Sequence, residues 1–471
     1  MTISPMKGQL SIFHDSICSL INAMRRTILI LILHLLLKGV TIGQVEAVSI
    51  DSLLAKSADN AEFCGSVLVA KGGKLIISKG YGYSHEEQKI PNDENTVFNI
   101  ASVTKTFTAA LILKLQEQGK LSLSDVVSKY YPGYPNGDKI TIHHLLNQTA
   151  GIPDYLQDKK FQAIDQSKPQ TLEEMIAFFK DKPLEFEPGR AFSYSNSNYT
   201  LLGYIIEKVT GLSYGAALDA YIFKPLHMKH TSYGPPQNNN LKIATGYMMY
   251  YKNFKRPAIV VHPSISYATG AIYSTVKDLY TWHRALQTNR FLSARSLAAA
   301  YKKDNPRYGY GWFSDSLYGR LRVSHDGNIP GYKSNINRFP EDDVCVIALS
   351  NANNSGVGGI VRNIVNILYQ QPLARSFANT PVLQLTDAIK KEYTGIYKFR
   401  KEDSMQVAVY LKDSSLFMTL GNQPTFEILP VFKDVFKAGE TRIEFYRNRE
   451  QRITQIWMYS KGELAQVTKM E

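Results

Sequence analysis

Ser102-Val103-Thr104-Lys105 opens a stretch whose apolar residues Val103, Phe107, Ala110, Leu111 and Leu115 recur at helical spacing, with Gly119 placed as a C-cap. The spacing predicts a helix over 102–118. Positions i and i+3 share a helix face, so the Ser102 hydroxyl and the Lys105 amine can meet. A serine hydroxyl is a weak nucleophile and needs an adjacent base. A buried lysine has a lowered pKa and can be that base. The start of the helix also offers unpaired N–H groups that can stabilise an oxyanion. Taken alone this spacing is common, and a helix start followed by a surface lysine produces it equally well.

Two more short motifs follow. Tyr194-Ser195-Asn196 lies 92 residues after Ser102, in a polar stretch. A tyrosine hydroxyl there can relay a proton, and the Asn196 amide can hydrogen-bond both a lysine amine and a substrate amide. His325-Asp326-Gly327 follows the strand-like run Leu321–Ser324. Glycine lets a substrate backbone approach a strand edge, and Asn328 can then present a backbone N–H as a second oxyanion donor. The plain readings of these two motifs are a polar turn before a helix and a turn with a surface histidine.

Outward from the motifs, the runs Ser66–Ala70 and Leu75–Ser78, divided by Lys71-Gly72-Gly73-Lys74, read as a hairpin. The middle of the chain reads as helical with long loops. Thr171 and Glu174 form a capping-box pattern, Leu201 to Val209 mark a helix stopped by Gly211, and Thr275 can cap a helix carrying Leu279, Trp282 and Leu286. Strand patterns return at 321–324, 332–338 and 344–350, and a last helix is expected over 359–369. From about Leu385 short apolar runs at 407–411, 416–420 and 443–446 read as a small all-β unit, a sandwich or barrel, after a linker at Gln370–Pro381.

The chain has 471 residues, more than one compact core usually takes. At the amino terminus Met24-Arg25-Arg26 precedes the apolar run Ile28–Leu37 and then small or polar residues to Gln44, the layout of a secretory signal. The run is short against the roughly 20 apolar residues a membrane helix needs. Residues 1–43 are therefore expected to be a signal peptide, cleaved near Gly43 or Ala47, with an uncleaved anchor as the alternative. No stable membrane span is expected elsewhere, and the expected location is periplasmic or secreted.

The formal net charge is +13, and +10 without residues 1–43. Such a balance favours acidic partners: cell-wall polymer, anionic lipid or nucleic acid. Yet there is no run of five or more Lys/Arg and no zinc-finger spacing, and basic residues sit beside acids, as in Arg400-Lys401-Glu402-Asp403. A solvated basic surface follows, and nucleic-acid binding is not expected. The three cysteines, Cys18, Cys64 and Cys345, form no CxxC, so metal and redox motifs are unsupported. Cys64 and Cys345 sit in strand-like runs, as buried free thiols or, in an oxidising compartment, as a disulfide.

Together the three motifs resemble the serine β-lactamase and penicillin-binding-protein family, in its class C-like branch where Tyr-x-Asn replaces Ser-x-Asn. The resemblance runs from about residue 60 to 370. It includes Leu145-Leu146-Asn147-Gln148-Thr149-Ala150-Gly151-Ile152-Pro153-Asp154-Tyr155, Glu187-Pro188-Gly189 and Gly270-Ala271-Ile272-Tyr273-Ser274-Thr275. It implies an α/β (α+β) fold: an antiparallel sheet flanked by helices, a mostly helical subdomain, and the site between them. The expected segments are then the signal peptide 1–43, a serine hydrolase domain 44–375 and a small β-barrel-like domain 385–471. The last, with its soft signature Tyr393-Thr394-Gly395-Ile396-Tyr397, resembles the appendage of some members, which covers the cleft, limits substrate size, mediates association or is purely structural.

The roles implied are Ser102 as nucleophile, Lys105 and Tyr194 handling its proton, and Asn196 positioning substrate. The N–H groups of Ser102 and Asn328 would form the oxyanion hole, and His325 and Gly327 would line the strand edge. No metal or cofactor is implied. His325 departs from the family's commoner lysine and would hold a substrate carboxylate less firmly. Within the resemblance His-x-Gly is more usual in DD-peptidases, D-amino-acid peptidases and esterases than in strong β-lactamases. The expected substrate is a small molecule or peptide, including cell-wall peptide. A β-lactamase and a penicillin-acylated sensor or non-catalytic binding protein remain as alternatives.

Overall fold

Lys71-Gly72-Gly73-Lys74 turns the chain as expected. Gly72 and Gly73 take φ of 56° and 73°, the left-handed pair that a two-residue hairpin matched to strand twist requires. The turn joins β1 (Gly65–Lys71) to β2 (Lys74–Tyr81). The structure is a computed structural model that describes residues 42–238, 240–251, 254–302, 308–353, 355–373, 380–399, 405–421, 423–460 and 463–470. Cys18 and the expected signal segment lie outside the described residues, except Ile42 and Gly43, which begin the helix α1 (Ile42–Asp59). The chain divides into two units, Met1–Ser52 and Leu53–Glu471, and the sheet, the barrel and every candidate site residue belong to the second.

The hairpin is half of a sheet whose other half comes from far down the chain. Strands β3 (Phe313–Leu317), β4 (Arg320–Ile329), β5 (Tyr332–Phe339) and β6 (Val344–Ser350) complete the order β3-β4-β5-β6-β1-β2. All neighbours are antiparallel, with Leu68 opposite Ile347 and Ile347 opposite Ile336. β6 is buried along its whole length, which explains why it reads as an unbroken apolar run rather than an alternating one. Helices α5 (Val276–Gln287) and α7 (Val357–Leu368) both pack on it.

Helix α2 (Thr104–Glu117) is buried over nearly all its length. Its Phe107 stacks on Trp282 of α5 at 4.5 Å. Around it lie α3 (Asn196–Thr210), closed by Gly211 at φ 70°, α4 (Pro263–Gly270) and α6 (Ala294–Tyr301). The capping box at Thr171 and Glu174 is formed, and Thr275 caps α5 by accepting from the Asp278 N–H at 3.1 Å.

The carboxy-terminal strands β7 (Gly395–Lys398), β8 (Gln406–Lys412), β9 (Ser415–Leu420), β10 (Phe426–Phe432), β11 (Val435–Ala438), β12 (Thr441–Arg447), β13 (Ile453–Ser460) and β14 (Glu463–Lys469) close into a barrel. Tyr397, Met418, Phe436 and Ile456 belong to the buried core of this barrel.

Two features bear on the site. β3 pairs only with Arg320–Ser324, so His325–Ile329 of β4 continue as an open edge. β3 itself was not expected, because Phe-Ser-Asp-Ser-Leu carries little apolar alternation. Cys64 and Cys345 are free and buried, and burial pushes their thiols up to about 11 and about 12.

Ile347→Ala, at a fully buried position in the centre of the sheet, should cost about 2–5 kcal/mol of stability. Denaturant unfolding would measure it, with an unchanged slope against denaturant.

Candidate active site

The helix that carries Lys105 starts later than expected. Ala101–Val103 form a single 3-10 turn, and α2 begins at Thr104. Ala101 sits at φ 46°, a conformation that costs a residue with a β-carbon of order 1–3 kcal/mol. The surroundings hold it there. The Ala101 N–H donates to Asn99 Oδ1 at 2.7 Å, and the Ile100 N–H to Ile272 O at 2.9 Å. Ser334 Oγ of β5 donates to Ile100 O at 2.6 Å, and the Ile272 N–H to Thr104 Oγ1 at 3.2 Å.

Gly327 belongs to the same clamp. A β-carbon on it would lie 2.3 Å from Ser334 Oγ and 2.5 Å from Ile100 O. The room at this glycine is taken by the turn at Ile100 and Ala101, not left for a substrate strand. Its absence of side chain lets Ser102 sit against the open edge of β4.

Lys105 is fully buried one helical turn beyond Ser102. Its Nζ lies 3.1 Å from Ser102 Oγ, 2.8 Å from Asn196 Oδ1 and 2.9 Å from Thr269 O. Burial pushes its pKa down to about 7, against the opposing pull of Asp154 and Asp326. Near neutral pH much of it is therefore a free amine with a serine hydroxyl in reach. Asn196 is spoken for on both ends. Its Oδ1 accepts from Lys105, and its Nδ2 donates to both Asp154 oxygens at 3.1 and 3.2 Å. Burial raises the Asp154 carboxyl, opposed by hydrogen bonds from Leu156 and Asn196. Asp154 and Thr269 are the participants not singled out in the sequence. Asp154 stands inside the matching segment 145–155, but its partner is 42 residues away.

Tyr194 stands over the same amine, its ring 5.1 Å from Lys105 Nζ. It stacks on Phe313 at 6.2 Å and meets Tyr308 edge-on at 5.9 Å. Burial pushes its phenol well above the ordinary range, and its hydrogen bond with Ser102 opposes this. Between the two, Lys105 is the group that can be unprotonated at neutral pH.

His325 is 1% exposed. Nδ1 lies 2.7 Å from Asp326 O, so it carries the proton, and Nε2 accepts from the Tyr308 hydroxyl at 3.0 Å. Burial pushes its pKa down to about 4, opposed by Asp326 and assisted by Lys105. At neutral pH the ring is neutral. Asn328 is exposed on the open edge, and its Oδ1 accepts from Asn353 Nδ2 at 2.8 Å.

These groups meet at a cleft of about 480 Å³. Ser102, Tyr194, Asn196, His325 and Asn328 line it, Lys105 and Gly327 lie behind its wall, and Leu156, Phe161, Val261 and Ile265 supply an apolar side. Two carboxylates, Asp154 and Asp326, face it, and among the described residues no lysine or arginine does. No described barrel residue lines it either.

A serine hydroxyl against a buried lysine, a tyrosine and an asparagine at the start of a distant helix, and an open strand edge make up the site. The family model described as Beta-lactamase matches residues 50–371. The chain belongs to the β-lactamase family. It is 28% identical over 423 residues to penicillin-binding protein 4* of Bacillus subtilis, covering 84% of this chain and 93% of that one. Among solved structures it is similar to the octameric penicillin-binding protein homologue from Pyrococcus abyssi, with a TM-score of 0.64 and 25% identity over 89% of this chain and 99% of that one. It is also similar to a D-stereospecific amidohydrolase from Streptomyces, with a TM-score of 0.57 and 27% identity over 67% of this chain and 96% of that one. Members of this family are generally serine hydrolases, and among the described residues no helix is long and apolar enough to cross a membrane.

Two outcomes follow for this β-lactamase-family site. Gly327→Ala should lower stability by about 1–3 kcal/mol through overpacking, and reactivity of Ser102 toward a fluorophosphonate should fall with it. If Lys105 must be unprotonated, reactivity should rise with pH through about 7. Asp154→Asn removes a charge that favours the protonated amine, so the acid limb should move to lower pH; labelling rates between pH 5 and 9 measure both.

Proposed function

We propose that the protein is a serine hydrolase that forms an acyl-enzyme on Ser102 and cleaves amide or ester bonds of D-amino-acid compounds outside the cytoplasm. The observation that carries this reading is the buried Lys105 amine, 3.1 Å from Ser102 Oγ, at the wall of the cleft. In this reading Lys105, as a neutral amine, takes the Ser102 proton as Oγ attacks the carbonyl carbon. The carbonyl oxygen becomes an oxyanion facing the N–H groups of Ser102 and Asn328. The Lys105 ammonium returns that proton by way of the Tyr194 hydroxyl to the departing amine or alcohol as the carbonyl bond to it breaks, so that both side chains end as they began. Water then repeats the attack on the acyl-enzyme, and Ser102 recovers its proton. Asn196 and Asp154 keep the amine in place rather than gripping substrate, since both ends of the Asn196 amide are engaged.

The charge of the cleft narrows the substrate. A family member that grips a carboxylate needs a cation near the strand edge, and here the edge carries a neutral His325 and the carboxylate of Asp326. This supports amides, esters or peptides in which the acyl part is neutral or carries a free amine, ahead of carboxylate-bearing penicillins and C-terminal D-Ala-D-Ala acids. The D-stereospecific amidohydrolase among the similar structures points the same way.

Intact mass after incubation with penicillin, and separately with a fluorophosphonate, tests the nucleophile. The expected result is a fluorophosphonate adduct that Ser102→Ala lacks. Equal labelling of the Ala variant would overturn the assignment. D-amino-acid amides and their N-succinylated, anionic counterparts test the charge argument. Wild type should prefer the amides, and Asp326→Lys should move kcat/KM toward the anionic series by about tenfold or more. An unchanged ratio would overturn the role given to Asp326.

A further inference from the structure

A second cavity, of about 470 Å³, opens between α5, α6 and the end of β5, and shares no lining residue with the cleft. Its floor is Arg338, 1% exposed. Among the described residues, every group that touches the guanidinium is neutral. Nε donates to His283 Nδ1 at 3.0 Å, one terminal nitrogen to the Tyr301 hydroxyl and the other to Gln287 Oε1 at 3.3 Å. The rings of Tyr301 and Trp312 each lie 5.6 Å from its carbon. The nearest acid in this chain of contacts, Asp343, is reached only through His283, whose Nε2 is 3.3 Å away from it. Asp343 is already paired with Arg284.

A buried guanidinium with no carboxylate in contact among the described residues is unusual, because an arginine does not shed its charge and burying an unpaired ion is costly. It has five N–H groups, and its three nitrogens meet three neutral acceptors among the described residues. Above it the walls are apolar, with Leu286 and Leu297 buried and Leu321 half-buried, and Lys302 stands at the mouth. A cation at the base of an apolar cavity of this size has the make-up of a small-molecule site in which one charged group fixes orientation.

We propose that this cavity binds a small organic anion, its carboxylate on the Arg338 guanidinium and its aliphatic body against Leu286, Leu297 and Leu321. The proposal is independent of the reading given to Ser102.

Octanoate titrated into the full-length protein by calorimetry is the test, with octan-1-ol and octylamine as controls. Ala298, exposed on the lining of the cavity, offers a variant, Ala298→Trp, that fills the space without touching the core. The expected result is saturable octanoate binding, weakened at least about tenfold in Ala298→Trp and in Arg338→Gln, with octan-1-ol and octylamine at least as much weaker in wild type. Should Arg338→Gln fail to fold, Ala298→Trp decides alone. No saturable binding to wild type, equal affinity in a folded variant, or octan-1-ol binding as well as octanoate would each overturn the proposal.

Discussion

A lysine amine cut off from water is what the β-lactamase-family part of this molecule is arranged around. Lys105 can sit at the centre of the core only because three oxygens, from Ser102, Asn196 and Thr269, surround its nitrogen, and because burial makes the neutral form accessible. Those oxygens come from three elements separated by long stretches of chain. The helices that bring them together, α2, α3 and α4, also pack on one another. Thr108, one turn beyond Lys105, ties α2 to Ala268 O at 2.7 Å and so fixes the segment that presents Thr269. Stability of the core and geometry of the site are the same set of contacts here.

What could be read from the sequence follows from distance along the chain. Ser102 and Lys105 are legible because i and i+3 on a helix meet whatever surrounds them. The hairpin at Gly72-Gly73 and the caps at Thr171 and Thr275 are legible for the same local reason. Asp154 is not, because its place depends on Asn196 in another element. The reason for Gly327 is not legible either: the motif calls for glycine, but only the fold shows Ile100 O and Ser334 Oγ filling the space. The state of His325 belongs with these. Its type predicts a residue poised between charged and neutral, and burial beside Tyr308 makes it neutral.

That neutrality changes how the third motif is understood. In His325-Asp326-Gly327 the histidine is consumed by Asp326 O and Tyr308, and it braces the wall that carries Tyr194 through Tyr308 and Phe313. The member of the motif that faces the cleft with a charge is Asp326. Replacing the family's commoner lysine by histidine thus does more than weaken a cation. Together with Asp326 it leaves the strand edge with a negative rather than a positive charge, and on the proposed acyl-transfer reading selection among substrates rests on that sign.

The barrel is tied to the rest of the chain near the sheet. One of its contacts with the rest of the chain lies at α7. The carboxylate of Glu440 occupies the space that side chains at Gly356 and Gly359 would need, 2.6 and 2.8 Å from their β-carbon positions. That is the amino end of α7, where an anion is favoured by the helix dipole and where Gly356 offers no side-chain cap. Lys437 donates to Thr380 O and the Leu383 N–H to Pro430 O, both at 2.7 Å, so the approach strand is held too. α7 in turn packs on β5 and β6, and β5 carries Ser334, the residue that holds the turn before Ser102. By this route a load on the barrel reaches the turn before Ser102 through β5, which is hydrogen-bonded along both edges to β4 and β6, a stiff route. This favours a barrel that steadies the sheet over one that opens and closes the cleft.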